Sequence, residues 1–134
     1  MTGLDTNVLA RFILRDDPDQ ATRADAFIRD ACSAADPGWI SLVVLCELTW
    51  VIGRGYRYPR ESVARVLREL RAAPEIVMER ADLVDEAIVR YTDGGPGFAD
   101  HLIAQFHRDA GVTRTVTFDR RASKLPGWEL LSTA

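Results

Sequence analysis

The chain has 134 residues, of which 47% are hydrophobic and 28% charged, and its formal net charge is −3. This length predicts one globular domain spanning residues 1–134, and no run of residues is both long and apolar enough to cross a membrane. The N-terminus lacks a basic region leading into a signal-peptide core, so we expect a cytoplasmic protein. The acidic balance is at first an argument against a protein that acts on nucleic acid, because such proteins usually carry a basic excess.

Short apolar or β-branched runs alternate along the chain with amphipathic helical patterns. Strands are predicted at Met1–Leu4, Trp39–Ile40, Ile76–Met78, Thr115–Phe118 and Trp128–Leu131. Helices with one apolar face are predicted at Gln20–Cys32, Arg60–Ala73 and Asp82–Tyr91. This alternation predicts βαβ units, and therefore an α/β fold with a mainly parallel sheet flanked by helices.

Two acidic residues in the first half of the chain stand out. Asp5 follows Met1–Leu4, where a predicted strand passes into a helix whose first amides lack intrahelical partners. A lone aspartate at such a junction is more often only a helix cap. Glu47 interrupts the apolar segment Ser41–Trp50, which we expect to form a helix buried on most sides. A charge in such a helix needs a partner, so Glu47 either pairs with an arginine such as Arg54 or belongs to a functional site.

Two further acids repeat this position in the second half. Asp100 follows the glycine-rich loop Asp93–Gly97 and is expected near the N-terminus of a new helix, where an N-cap explains it about as well as a ligand. Asp119 is expected to be the first residue after the strand Thr115–Phe118. Each acid has a structural explanation of its own, but four acids in one topological position are hard to explain as four unrelated caps.

Positions of this kind converge, in a parallel α/β sheet, outside the carboxyl ends of the strands, where ligands bind. Clustered carboxylates repel one another and are costly to bury unpaired, so they normally hold cations. A site made only of oxygen ligands suits Mg²⁺ or Mn²⁺ rather than zinc or copper. The four acids therefore predict metal-assisted phosphate chemistry.

The motifs around these acids have a specific order. They are Leu4-Asp5-Thr6-Asn7, then Ser41 with Glu47 six residues later, then Ala99-Asp100-His101-Leu102-Ile103-Ala104, then Thr117-Phe118-Asp119. In this order the chain resembles the PIN-domain nucleases, and among them the VapC toxins of bacterial toxin–antitoxin pairs. Each motif is weak alone, whereas the order and spacing are specific and cover nearly the whole chain. The resemblance implies a PIN-like three-layer fold with a mainly parallel central sheet flanked by helices.

The resemblance also implies an acidic metal site with polar groups around it. The catalytic, metal-binding acids would be Asp5, Glu47, Asp100 and Asp119. The supporting polar groups would be Asn7, Ser41 and Thr117. For these three the ordinary alternatives are a turn residue, a helix cap and a β-branched strand residue. The implied cofactor is Mg²⁺, for which Mn²⁺ can substitute.

Substrate contacts are expected from basic residues outside the acids. Arg54 and Arg57 lie in the segment Gly53–Pro59, where two interleaved tyrosines could stack on single-stranded RNA, although a solvated basic loop is the ordinary alternative. His101 stands where many relatives carry an apolar or small residue, and its imidazole is a candidate phosphate contact. Without the four proposed ligands the net charge of −3 becomes +1, so the metals and a few arginines must supply most of the attraction for phosphate.

The function that follows is a divalent-metal-dependent endoribonuclease, the toxin of a toxin–antitoxin system, which hydrolyses RNA phosphodiester bonds with a metal-activated water. A metal-free transfer is disfavoured because His101 and His107 lie on different helix faces. One alternative is a receiver-like phosphoryl-transfer protein, which fits poorly because Asp5 has no second acid two residues later. The other, a non-catalytic binding module with an acidic pocket, stays open.

The resemblance implies partners as well as chemistry. RNA would be the substrate, and a cognate VapB-type antitoxin would lay its C-terminal segment over a hydrophobic groove and place a basic side chain among the carboxylates. The apolar segment Val43–Val51, with Trp50, is the candidate surface. We expect a homodimer and a toxin–antitoxin hetero-oligomer, and no membrane partner.

Overall fold

A computed structural model describes residues 1–131 of the protein. The predicted domain 1–134 therefore includes three C-terminal residues that lie outside the described residues. The chain divides by its contacts into two compact units, Met1–Ala81 and Asp82–Ala134, called here the first and second unit. That the two units form one domain stays a prediction.

The first unit is built on three short parallel strands. These strands are β1 (Thr2–Gly3), β2 (Gly38–Ile40) and β3 (Ile76–Met78), paired in the order β1-β2-β3. The helices between them are α1 (Thr6–Leu14), α2 (Pro18–Ala31), α3 (Leu42–Trp50) and α4 (Arg60–Ala72). A β-carbon at Gly38 would lie 2.7 Å from Cδ1 of Leu4, so a larger residue here would force the Leu4 side chain to shift. The predicted strand positions and their parallel pairing are confirmed.

The helices of the first unit bury one face each. Leu9, Leu45, Leu48 and Leu67 are fully buried, and α1 packs against both α2 and α3. The start of α2 is held by Asp17, whose carboxylate accepts a hydrogen bond from the Gln20 backbone amide at 3.1 Å. Burial of these stripes is the main source of stability, since apolar area contributes about 25 cal/mol per Å² removed from water.

The prediction that α3 is buried on most sides is wrong. Val43 is 79% exposed and Trp50 63% exposed, and Glu47 is exposed as well. The helix is apolar almost all round, but only one face of it meets the core of the unit. Apolar composition therefore did not reveal which side of α3 faces solvent.

The segment Gly53–Pro59, predicted to be a loop, begins as helix. A π-helical turn at Val51–Gly55 continues α3, with the Tyr56 amide donating to the Val51 carbonyl at 3.0 Å. Gly53 and Gly55 lie within this turn although glycine is unfavourable in helix interiors. Tertiary packing of the buried Ile52 overrides that weak preference.

The second unit contains two helices and two parallel strands within its described part. They are α5 (Ala81–Asp93), α6 (Phe98–Asp109), β4 (Thr115–Thr117) and β5 (Trp128–Leu130), with a 3₁₀ turn at Ala122–Lys124. Thr115 pairs with Trp128 and Thr117 with Leu130. Strand β4 ends one residue earlier than predicted, so Asp119 is the second residue after it. All described strand pairings are parallel, which confirms the predicted α/β class.

No helix within residues 1–131 combines the length and apolar composition needed to cross a lipid bilayer.

Candidate active site

Asp5 occupies the N-cap position of α1 without acting as a side-chain cap. Its backbone is extended, with φ −82° and ψ 159°, and its carboxylate accepts no capping hydrogen bond from the helix. The carboxylate is exposed at the end of β1, beside the helix N-terminus. The helix-cap alternative therefore does not account for Asp5, and its oxygens are available to a cation.

Glu47 lies on the exposed side of α3 and is not neutralised by Arg54. Within residues 1–131 neither side chain forms an ion pair. Since α1 packs against α3, the two elements that carry Asp5 and Glu47 are neighbours in the first unit. The simple pairing that would have explained Glu47 is absent from the described chain.

The polar residues near these two acids differ in what they do. The Ser41 hydroxyl accepts a hydrogen bond from the Val44 amide at 3.2 Å. Ser41 is therefore the helix cap of α3, the ordinary alternative considered for it. Asn7 is exposed in the first turn of α1, next to the end of β1. Their roles around a metal stay predictions.

Asp100 lies in the first turn of α6, whose N-cap residue is Gly97. The N-cap explanation for Asp100 is therefore wrong. Partial burial raises the pKa of its carboxyl, the negative charge of Asp119 raises that pKa further, and His101 lowers it. A like charge raises the pKa of a carboxyl only at short range, so α6 and the segment after β4 bring Asp100 and Asp119 close together.

Asp119 is oriented by its own neighbours in the chain. Its Oδ1 accepts a hydrogen bond from the Ala122 amide at 3.0 Å, and its backbone amide donates to Oγ1 of Thr117 at 3.0 Å. Thr117 therefore shapes the turn that presents the carboxylate, and its role around a metal stays a prediction. The Asp119 side chain is exposed.

His101, a predicted phosphate contact, is buried. Its Nε2 lies 2.8 Å from the carbonyl oxygen of Gly94, and its ring meets Tyr91 edge to face at 6.2 Å between centroids. A β-carbon at Gly95, where φ is +83°, would lie 3.1 Å from the same Nε2. The ring thus fastens the loop before α6. A contact with RNA stays a prediction, and the burial of the ring favours a structural role.

Arg54 and Arg57 are both exposed and, in the described part of the chain, unpaired. The tyrosine between them is engaged, because the Tyr56 hydroxyl donates a short hydrogen bond to Asp16, which Arg11 also contacts at 2.9 Å. This tether ties the segment after the π-helical turn to the end of α1. It joins residues 40 positions apart, so no local pattern in the sequence could have indicated it.

The donor chemistry of the acids fits a hard divalent cation. No group of three or more His, Cys, Asp or Glu side chains is arranged to hold a metal by itself within residues 1–131. Asp5 and Glu47 belong to the first unit, and Asp100 and Asp119, which belong to the second, repel each other. Oxygen-only ligands and a repulsion that a cation relieves are the features expected of Mg²⁺ or Mn²⁺ ligands.

Comparison with known proteins shows the family. A model of the PIN domain matches residues 4–127, a range that includes all four acids. The chain belongs to the PIN-domain family. A VapC ribonuclease of Aquifex aeolicus is 26% identical to this PIN domain over 125 residues, which cover 93% of the chain and 92% of that relative. The resemblance to PIN domains of the VapC type, inferred from the order of the motifs, is confirmed.

Proposed function

We propose that this PIN domain is a divalent-metal-dependent endoribonuclease and the toxin of a toxin–antitoxin pair. The observation that carries the proposal is Asp100, a partly buried carboxylate that neither caps its helix nor forms an ion pair in the described chain, and whose pKa is raised beside Asp119. Perturbed carboxylates of this kind are concentrated at functional sites. The name of the relative, a ribonuclease, supports RNA as the substrate.

The proposed site uses all four acids, with the polar residues as supports. Asp5, Glu47, Asp100 and Asp119 would hold Mg²⁺, which Mn²⁺ can replace, and Asn7, Ser41 and Thr117 would orient them. A divalent ion bound there supplies Lewis acidity to the phosphodiester and to the attacking water. The chain's own contribution is to orient its carboxylates, as the Ala122 amide does for Asp119 by donating to Oδ1, with Thr117 accepting from the Asp119 amide.

The exposed arginines contribute to substrate binding in this proposal. Arg54 and Arg57 have no partner within residues 1–131 and can contact phosphates of an RNA strand. Because the chain as a whole is acidic, we expect few phosphate contacts, and therefore a limited affinity for RNA that falls only modestly with added salt.

A VapB-type antitoxin and a second copy of the chain are the proposed protein partners. The exposed Val43 and Trp50 of α3 are large apolar side chains of the kind that interfaces bury. We propose a homodimer that assembles with the antitoxin into a hetero-oligomer in the cytoplasm. Light scattering of the isolated chain tests the dimer, and co-expression with the product of the adjacent gene tests the complex. A monomer that never co-purifies with that product would contradict both.

The ends of the RNA products test the activity itself. A water that attacks in line should leave a 5′-phosphate and a 3′-hydroxyl, and excess chelator should stop cleavage. Products ending in a 2′,3′-cyclic phosphate, or full cleavage in chelator, would refute the mechanism.

A further inference from the structure

A cavity of about 480 Å³ lies within the second unit. It is bounded by the end of α5, the length of α6 beyond its first turn, and the segments that lead into β4 and β5. Three arginines line it, Arg90, Arg108 and Arg114, with a single acid, Asp93. None of the four site acids contributes to the lining. A chain of net charge −3 thus collects positive charge around one concave surface.

Among residues 1–131, only one of these three arginine side chains has no partner of its own. Arg90 is paired with Glu86 at 3.0 Å, and Arg114 with Glu129 at 2.8 Å. The side chain of Arg108 is exposed and has neither an ion pair nor a hydrogen bond in the chain as described. Its guanidinium is therefore the cation that this cavity offers to a phosphate.

Gln105 is the second lining residue whose side chain lacks a partner in the described part of the chain. It is 5% exposed and lines the cavity, and its side-chain nitrogen is buried with no hydrogen-bond partner among residues 1–131. A buried amide that lacks a partner is destabilising, so its presence calls for an explanation. Gln105 and Arg108 are three residues apart on α6 and lie on the same side of the helix.

The remaining lining groups match the other parts of a nucleotide. Trp128 stacks on His107, with centroids 6.2 Å apart and planes 21° from parallel, and Nδ1 of His107 lies 2.6 Å from Oγ1 of Thr115. Asp93 supplies an acceptor for a ribose hydroxyl or a base amino group. Cation, amide, aromatic ring and carboxylate acceptor together suit a nucleotide better than a bare anion, because single-stranded RNA is bound through all of these contacts.

We propose that this cavity binds one nucleotide of the RNA strand, with its phosphate on Arg108 and a base or ribose edge on Gln105. The inference rests on the proposed function, since it concerns the same substrate. Arg108 follows Asp100 by eight residues of α6, about 12 Å along the helix axis, so this nucleotide is not the one whose phosphodiester is cleaved. It would position the strand and contribute to the choice of cleavage sequence.

Binding of a labelled single-stranded RNA, measured by fluorescence anisotropy in excess chelator, tests the cavity without cleavage. Arg108→Ala and Gln105→Leu should each weaken binding about tenfold. Arg65→Ala is the matched control, because Arg65 is an exposed arginine outside the cavity, and it should leave the affinity nearly unchanged. Equal affinity in all four proteins would overturn the inference.

A thermal melt separates a binding role of Gln105 from a structural one. Gln105→Leu removes a buried amide without a partner, so the variant should melt at the same temperature as the wild type or a few degrees higher. Higher or equal stability with weaker RNA binding supports the proposal. Lower stability with unchanged binding would assign Gln105 to the fold and contradict it.

Two comparisons distinguish the failures. A free nucleoside monophosphate should compete with RNA only weakly. If instead the free nucleotide binds tightly through Arg108, and Arg108→Ala does not change the affinity for RNA, the cavity binds a free ligand. That result would overturn the RNA proposal. If the wild type cleaves RNA with Mg²⁺ while both variants keep full affinity, the cavity inference fails and the proposed function stands. If nothing is cleaved but both variants lose affinity, the RNA subsite stands and the proposed activity fails.

Discussion

The surroundings of Asp16 and Asp25, near the end of α1, lower the pKa of their carboxyls, whereas those of Asp100 in α6 raise it. Asp16 is hydrogen-bonded by Tyr56 and by Arg11, and Asp25 is paired with Arg15 at 2.7 Å, so the pKa of each carboxyl is lowered. Asp100 has no such partner in the described chain. Its pKa is raised, first by burial and then by Asp119.

This difference distinguishes carboxylates that stabilise the fold from one that costs stability. The paired aspartates are ionised at little cost, and solvent screens their attraction to the arginines, so each contributes modestly. A partly buried carboxylate beside another is unfavourable in the absence of a cation, and proteins retain such groups mainly at functional sites. Substituting each kind of aspartate should therefore have opposite consequences.

Loss of activity should be the largest difference between the two kinds. Asp100→Ala should lower the rate of RNA cleavage at least about a hundredfold, because it removes a proposed metal ligand. Asp25→Ala should leave the rate within about twofold of the wild type. Initial rates with Mg²⁺, together with circular dichroism to confirm folding, measure both. An equal loss of cleavage rate in the two variants would contradict a special role for Asp100.

Stabilisation by metal should be the next largest effect. Mg²⁺ at about 100 times its Kd should stabilise the wild type by about 2.7 kcal/mol, since it binds only the native state. Asp100→Asn should blunt the rise in Tm, and Asp25→Asn should keep it. The measurement is a thermal melt across a metal titration. A full rise in the Asp5→Asn/Asp100→Asn double variant would contradict a shared site.

Asp100→Asn should stabilise the metal-free protein at neutral pH, by about 1–3 °C in Tm. The folded pKa of Asp100 lies above the ordinary value of 3.8, so its proton stabilises the fold fully below that value and this stability is lost as pH rises through the folded pKa. The advantage of asparagine should therefore shrink as the pH falls toward 3.8. Melts in chelator from neutral pH downward test this, and a destabilised variant at neutral pH would contradict it.

Asp25→Asn should give the smallest effect, with the opposite sign. It should lower Tm at neutral pH by about 1 °C or less, because it breaks a screened ion pair with Arg15. The folded pKa of Asp25 lies below 3.8, so its contribution is present above that value and lost as the pH falls through the folded pKa. The difference from the wild type should vanish in acid. A difference that grows in acid would show that the ion pair is not its cause.

Much of the fold followed from patterns that span only a few residues. Ile76–Met78 and Thr115–Thr117 are strands where β-branched or apolar runs predicted them, and the helical stripe at Arg60–Ala73 became α4 with Val63 and Leu67 buried. The positions of Asp5, Asp100 and Asp119 near strand ends or helix starts were also visible, because each is set by the residues next to it. Glu47 differs, because it lies inside α3 and not at its start. The sequence alone thus determined the α/β class and the candidate ligands.

Exposure and long-range pairing were decided only by the tertiary structure. The sequence of α3 does not say that Glu47 and Trp50 face solvent, since a helix that is apolar all round has no preferred buried side. The bond between Tyr56 and Asp16, and the cavity that leaves Gln105 without a partner, each depend on segments far apart in the chain. Local propensities act within a few residues, whereas such contacts arise only when separate elements pack together.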